Sequence, residues 1–234
     1  MKLSIVIPTY YRSDGSTLKY LTKALDSVFK QTHQDFKIYL IGDRYEHPNE
    51  VVSLILNYDQ SKISFINLDV AKERDFYTNK WAIWSYGGVN ATNHGIDLSI
   101  SEGNHYICHL DHDDEWDPLH LETINQCIEL NNPDWICTKS SYVHNLVLPR
   151  INSEEVYVDF IPKPETLIHS SVCMNFKTIP LRYRDLFDET GVVGLPGDAE
   201  LWDRCGRYIL DNNLKSTLIN KITCSHIEEG FERS

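Results

Sequence analysis

The sequence has no long hydrophobic run, no paired-cysteine motif, no internal repeat and little positive charge, and each absence excludes a class of function. No segment of the 234 residues approaches the roughly 18 apolar residues that a membrane-spanning helix needs. The opening M-K-L-S-I-V-I-P-T-Y carries an apolar run too short to cross a bilayer and lacks the small-residue cleavage region of a signal peptide. A soluble protein with no integral membrane segment is expected, with the cytoplasm as its compartment. Cys108, Cys127, Cys137, Cys173, Cys205 and Cys224 are scattered and form no C-x-x-C pair, which favours reduced core thiols over disulfides or a zinc site. Acidic residues outnumber basic ones by 34 to 22, for a formal net charge of −12. Nucleic acid and anionic membranes both require a basic surface, so neither is an expected partner.

What is present is enough apolar material for a substantial core. The chain is 41% hydrophobic, with 5 Trp and 13 Tyr, and no linker or low-complexity tract divides it. A single domain over residues 1–234 is expected, with a first half at 1–116 and a second at 117–234. Leu3 to Ile7 reads as a strand ending at Pro8-Thr9. From Thr17 to Gln31, apolar residues fall at Leu18, Leu21, Leu25, Val28 and Phe29, the spacing of one helix face. Phe36 to Ile41 predicts a second strand, closed by Gly42-Asp43. Asn49 to Tyr58 predicts a helix, Ile63 to Leu68 a third strand, and Asn79 to Ile100 a helix with an irregular, glycine-containing start. Tyr106 to Leu110 is a fourth strand. Asp117-Pro118 should open the next helix, because Asp accepts free backbone donors and Pro suits the first turn. Further on, strands are predicted over Trp135 to Leu148, Val156 to Phe160, Ser171 to Phe176 and Leu214 to Cys224, with a helix over Asp198 to Leu210. The alternation predicts an α/β fold: a Rossmann-like, mostly parallel central sheet flanked by helices, with a mixed second half. Such sheets bind ligands beyond the carboxyl ends of their strands. Pro8-Thr9-Tyr10, Asp43 and Asp111 all fall on that rim.

The run from His105 to Trp116, H-Y-I-C-H-L-D-H-D-D-E-W, ends an apolar stretch in the carboxylates of Asp111, Asp113 and Asp114. Strand alternation predicts that Asp111 and Asp113 project the same way, with His112 opposite as support. Two like charges so close repel unless a cation lies between them, and hard oxygen ligands suit Mg²⁺ or Mn²⁺. The pattern fits a metal-bound phosphate. A calcium loop is rejected, because Trp116 stands where the sharp turn requires Gly. Asp198, after Pro196-Gly197, reads equally as a helix cap or as a general base. His169 either faces an acceptor or packs internally. Trp81, Trp84 and Trp116 suit either a sugar-stacking wall or the core, and Trp202 should pack beneath Asp198.

Taken in order, several segments resemble the family-2 glycosyltransferases, inverting nucleotide-sugar enzymes of GT-A fold. They are S-I-V-I-P-T-Y-Y-R, L-T-K-A-L-D-S-V-F-K-Q-T from Leu21 to Thr32, I-Y-L-I-G-D ending at Asp43, G-G-V-N-A-T-N-H-G-I from Gly87 to Ile96, L-D-H-D-D-E-W, and G-D-A-E-L-W-D-R from Gly197 to Arg204. The resemblance implies a nucleotide-sugar-binding half over 1–116 and an acceptor-side half over 117–234. It implies that Pro8, Thr9, Tyr10 and Arg12 line the nucleotide pocket, that Asp43 bonds the base, and that Asp111 sits near the ribose and metal. Asp113, Asp111 and His226 would then ligate Mn²⁺ or Mg²⁺, and Asp198 would be the catalytic base. The donor would be a nucleoside-diphosphate sugar, with UDP-sugar favoured, and the acceptor a glycan or other hydroxyl. Two positions depart from the family pattern. Thr92 stands where Arg is common, so a phosphate or sugar contact is either missing or supplied elsewhere, by Arg74 or Lys80; Gly197 replaces the acidic neighbour of the base. The rival readings are a sugar nucleotidyltransferase, whose early basic, Gly-rich loop is absent, and a binding module that has lost turnover. A phosphatase would need Thr or Val at position 115, which is Glu here.

Overall fold

The computed structural model describes residues 1–76, 78, 80–142, 146–164, 166–184 and 195–226. Strands β1 (Leu3–Thr9), β2 (Phe36–Gly42), β3 (Ile63–Asn67) and β4 (Tyr106–His109) form a parallel block in the order β3-β2-β1-β4. Beyond β4 the sheet turns mixed. β9 (Val172–Asn175) runs antiparallel between β4 and β6 (Trp135–Tyr142), and β6 pairs in parallel with β10 (Ser216–Ser225). The short strands β5 (Glu115–Trp116), β7 (Leu146–Leu148) and β8 (Tyr157–Asp159) add antiparallel edges to β10 and β6.

The pleat of β1 explains the layering. Leu3, Ile5 and Ile7 point into one core with Leu21, Leu25 and Val28 of α1 (Thr17–Phe29) and Leu121 and Ile124 of α6 (His120–Asn131). Val6 points the other way, into a second core with Ala91 and Ile96 of α5 (Val89–Ser101) and Leu201, Trp202 and Cys205 of α7 (Gly197–Asp211). Alternate residues of a buried strand serve opposite faces, so a parallel strand reads as a continuous apolar run. Gly95 lets α5 lie flat on β1, since a Cβ there would stand 2.6 Å from Val6 Cγ1. No helix among the described residues is long and apolar enough to cross a membrane.

Several local expectations need correction. The predicted helix over Asn79 to Ile100 is two helices, α4 (Lys80–Tyr86) and α5, broken at Gly87-Gly88 where Gly88 takes φ +84°; Asn79 lies outside the described residues. Two short helices, α2 (Pro48–Ile55) and α3 (Lys72–Phe76), flank β3, and the second was not anticipated. The predicted strand over Trp135 to Leu148 is β6 and β7, paired antiparallel. Asp117 does not open α6 directly: its Oδ1 accepts the Leu119 amide at 2.9 Å in a turn, and the helix starts at His120.

Candidate active site

The parallel block delivers three chain segments to one rim. β1 ends at Thr9, whose carbonyl accepts the Asp43 amide at 2.7 Å just past the end of β2. The Asp43 carboxylate is buried, with 1% of the residue exposed. Arg74 Nε donates to its Oδ2 at 2.9 Å, and Arg74 Nη2 donates to the Asp43 carbonyl. Burial pushes the Asp43 carboxyl up, against the pull of Arg74. Its Oδ1 is buried with no partner among the described residues. The Tyr10 ring sits beside two guanidinium groups, with Arg74 Cζ 5.0 Å and Arg12 Cζ 5.6 Å from its centroid, a cation–π arrangement. The His112 ring meets Tyr10 edge-on at 5.2 Å.

The acidic run does not alternate as a strand. β4 stops at His109, and the Asp114 amide donates to the Asp111 carbonyl at 3.1 Å, so residues 111–114 turn tightly and the three carboxylates fan out. Each finds a different cationic or imidazole partner. Asp111 Oδ1 lies 2.8 Å from His169 Nδ1, Asp113 Oδ2 lies 2.9 Å from Arg12 Nη2, and Asp114 Oδ1 lies 2.9 Å from His226 Nδ1. Ser170 Oγ ties the turn together, donating to Asp114 Oδ2 at 2.6 Å and accepting the Asp111 amide at 2.9 Å. Burial alone pushes the Asp111 carboxyl up, but His169, with His226 and His112 adding, brings it down to about 2. Burial raises Asp114 to about 6 despite His226. It disfavours the His226 imidazolium, yet Asp114 outweighs it and carries His226 to about 9.

Asp198 occupies the first turn of α7 and accepts the Ala199 amide at 2.7 Å. Burial raises its carboxyl, with His169 opposing and Asp111 adding to the rise. The start of α7 is held down by Tyr86, whose hydroxyl donates to the Leu195 carbonyl at 2.7 Å. His169 Nε2 pairs with the Tyr183 hydroxyl at 2.6 Å, and that hydroxyl lies 3.4 Å from His109 Nδ1. Trp202 is buried under this network, 6.0 Å from the His109 ring and 6.1 Å from that of His169. Trp202 thus packs against the rings of His109 and His169.

Residues 4–191 match the model of glycosyl transferase family 2. The chain belongs to that family. It is 39% identical over 238 residues to glycosyltransferase R139 of Acanthamoeba polyphaga mimivirus, covering 98% of this chain and 95% of that protein. Among solved structures it resembles S. aureus TarS 1-349 in complex with UDP-GlcNAc, with a TM-score of 0.71 and 15% identity over 99% of this chain and 60% of that one. It also resembles the mannosyltransferase PcManGT of Pyrobaculum calidifontis in complex with GDP-Man and Mn²⁺, with a TM-score of 0.61 and 9% identity over 98% of this chain and 58% of that one. The fold is thus the GT-A fold, and this family-2 chain is a transferase enzyme.

The resemblance implies a divalent cation at this rim. Carboxylate oxygens are hard donors suited to Mg²⁺ or Mn²⁺, and one imidazole adds a borderline nitrogen donor. Among the described residues, no three His, Cys, Asp or Glu side chains already stand together as a cation site. The donor types fit, provided Asp113 exchanges Arg12 for the ion. His226 stands at this cluster but pairs with Asp114 rather than with Asp111 or Asp113, and its ring stacks on Tyr142 at 5.0 Å.

Other expectations divide. Trp81 and Trp84 are 44% and 53% exposed, whereas Trp116 is buried at 4% and donates through Nε1 to the Ser170 carbonyl at 2.7 Å. Trp116 is a core residue and not part of a sugar wall. Arg74 does not free itself for phosphate but braces Asp43. Thr92 is buried and returns its hydroxyl to the Gly88 carbonyl at 2.9 Å, serving its own helix. Gly197 has a steric cause: a Cβ there would lie 2.8 Å from Val89 Cγ2 and 3.4 Å from the Ser85 carbonyl oxygen. Sequence reasoning missed Ser170 and Tyr183. The usable signal was H-S-S-V-C-M itself, a polar triplet entering a strand, but its neighbourhood depends on the non-local pairing of β9 with β4.

Proposed function

We propose that this protein, acting as one domain over residues 1–234, moves a sugar from a nucleoside-diphosphate sugar, UDP-sugar favoured, to an acceptor hydroxyl in glycan synthesis, with inversion at the anomeric carbon. One observation carries the reading. Asp111 bonds His169 and Asp198 acts on it electrostatically, and the environments of the two carboxylates push them apart: Asp111 is brought down to about 2, while Asp198 is raised by burial. A pair separated in this way suits one permanently ionised group and one proton acceptor.

In this reading Tyr10 stacks on the base and the buried, unpaired Asp43 Oδ1 accepts an N–H from it, while Arg74 keeps Asp43 in place. Pro8 and Thr9 shape the pocket floor, and Arg12 pairs with the diphosphate. Asp113 and Asp111, with His226, would hold Mn²⁺ or Mg²⁺, which when bound neutralises charge gathering on the leaving diphosphate. Asp198 takes the acceptor proton as the hydroxyl oxygen bonds the anomeric carbon and the bond to the diphosphate breaks, its electron pair leaving with the phosphate. Attack from the face opposite the leaving group inverts the configuration. Six buried free cysteines support a reducing compartment such as the cytoplasm.

The test is donor consumption with Mn²⁺ alongside calorimetric titration with UDP and Mn²⁺. Asp198→Asn should lower transfer by about 10²–10⁴-fold while leaving UDP binding within about twofold of wild type, a change of under ~0.5 kcal/mol. Equal loss of binding and transfer would remove Asp198 from the role of base. Binding without any donor consumption by wild type would leave a binding module.

A further inference from the structure

The three neighbouring acids of the rim each have a nitrogen partner within the protein: Asp111 has His169, Asp113 has Arg12 and Asp114 has His226. The three partners differ in what anchors them. His169 is wedged between Asp111 and the Tyr183 hydroxyl, and His226 is stacked on Tyr142. Arg12 belongs to the loop between β1 and α1, its Nε is 3.2 Å from the hydroxyl of Tyr10 in that same loop, and its guanidinium carbon lies 5.2 Å from the ring centroid of Tyr20 on α1. The Arg12–Asp113 pair is nearly closed to water, with the side chains 14% and 8% exposed. A buried carboxylate stripped of its counter-charge is costly, so Arg12 can leave only when another cation takes its place. A guanidinium in turn binds a diphosphate well, through paired N–H donors.

We infer that Arg12 is the internal counter-ion of Asp113, exchanged for a divalent cation only when a nucleoside diphosphate takes up the guanidinium, so that cation and nucleotide bind as a coupled pair. The inference rests on the metal-assisted reading above and adds to it an order: the free protein should bind the cation poorly by itself. Binding free energies are reciprocal, so UDP should tighten Mn²⁺ by the same factor by which Mn²⁺ tightens UDP.

The experiment measures free Mn²⁺ by electron paramagnetic resonance in titrations of the full chain, with and without UDP. Wild type should bind Mn²⁺ alone at least about tenfold more weakly than in the presence of UDP, within the usual range of such couplings. Arg12→Gln should bind Mn²⁺ alone about tenfold more tightly than wild type and lose most of the UDP effect. Arg12→Lys keeps a cation beside Asp113 and should behave like wild type towards Mn²⁺ alone, which separates charge from folding damage. If Arg12→Gln binds Mn²⁺ alone as weakly as wild type while both still bind it with UDP, the counter-ion role is wrong and the metal reading survives. If wild type takes up no Mn²⁺ even with UDP, the metal reading fails and the inference falls with it.

Discussion

His169 Nδ1 lies 2.8 Å from Asp111 Oδ1 across 58 residues of sequence, and the other ring nitrogen of His169 meets the Tyr183 hydroxyl at 2.6 Å. The imidazole thus joins the acidic turn to Tyr183, whose backbone is bonded in turn to Asn93 of α5. Burial disfavours its charged form, but Asp111 and, further off, Asp198 outweigh that and raise it. His169→Ala removes the partner of one carboxylate and one buried hydroxyl. A loss of about 1–3 kcal/mol of stability is expected for stranded buried groups, accompanied by weaker binding of UDP with Mn²⁺. Urea unfolding and calorimetry on the same variant check both, and full UDP affinity at lowered stability would reduce the pair to a structural one.

The Arg74–Asp43 pair makes a separate prediction. Asp43 is 1% exposed, and Arg74 is its ion-pair partner. Removing one member of a buried pair costs about 3–5 kcal/mol because it leaves an uncompensated charge. Arg74 is 21% exposed at its side chain, so water will soften this, and a loss of about 2–3 kcal/mol is expected for Arg74→Ala. Adding Asp43→Asn removes the stranded charge and should restore part of it, while UDP binding stays weak if Asp43 holds the base as proposed, because a neutral amide oxygen is a weaker acceptor than a carboxylate. Thermal unfolding of both variants reads this, and a double variant no more stable than Arg74→Ala would contradict it.

Gly197 offers a test of whether its departure from the family pattern is chemical or steric. Glu at this position would restore the acidic neighbour of Asp198, but its Cβ would press on Val89 Cγ2 at 2.8 Å. Overpacking of this kind costs about 1–3 kcal/mol. Gly197→Glu is therefore expected to be less stable by that amount and no faster in transfer. A stable variant with raised activity would show that the position is chemically open.

The sequence made the parallel half of the fold legible because buried parallel strands are continuous apolar runs and their ends are marked by Pro8-Thr9, Gly42-Asp43 and the acidic run. It also placed Pro8-Thr9-Tyr10, Asp43 and Asp111 on one rim, since that follows from strand direction alone, whereas Arg12 entered only through the family resemblance. What it hid depends on distant pairing. The antiparallel insertion of β9 beside β4 brings His169 and Ser170 to the acids, and no local pattern encodes which strand lies next to which. Trp116 was ambiguous for a similar reason: an indole next to three acids looks exposed until Ser170 and His120 are known to enclose it. The tight turn at 111–114 overrode strand alternation, so the carboxylates spread to three partners.

His120 supplies a pH dependence away from the site. It is fully buried, pairs through Nδ1 with the Thr223 hydroxyl at 2.8 Å, and stacks on Trp116 at 4.2 Å. Burial lowers it to about 3, only slightly opposed by Thr223. In the unfolded chain the same imidazole takes up a proton near its ordinary value of about 6.5. Between those values the unfolded state binds more protons, so stability rises with pH there and is lost as pH falls below about 6.5. One such group contributes about 2 kcal/mol of that loss between pH 7 and pH 5. Burial lowers His109 and His112 in the same sense, while His226 and Asp114, raised to about 9 and about 6, act against it over this interval, so the contribution of His120 is read as a difference between variants. His120→Phe keeps an aromatic ring against Trp116 and cannot titrate, so its stability should fall by about 2 kcal/mol less than that of wild type over the same interval. Urea unfolding at pH 7 and pH 5 measures the difference directly. Two curves that fall in parallel would mean that His120 is protonated in the folded protein, contrary to its enclosure.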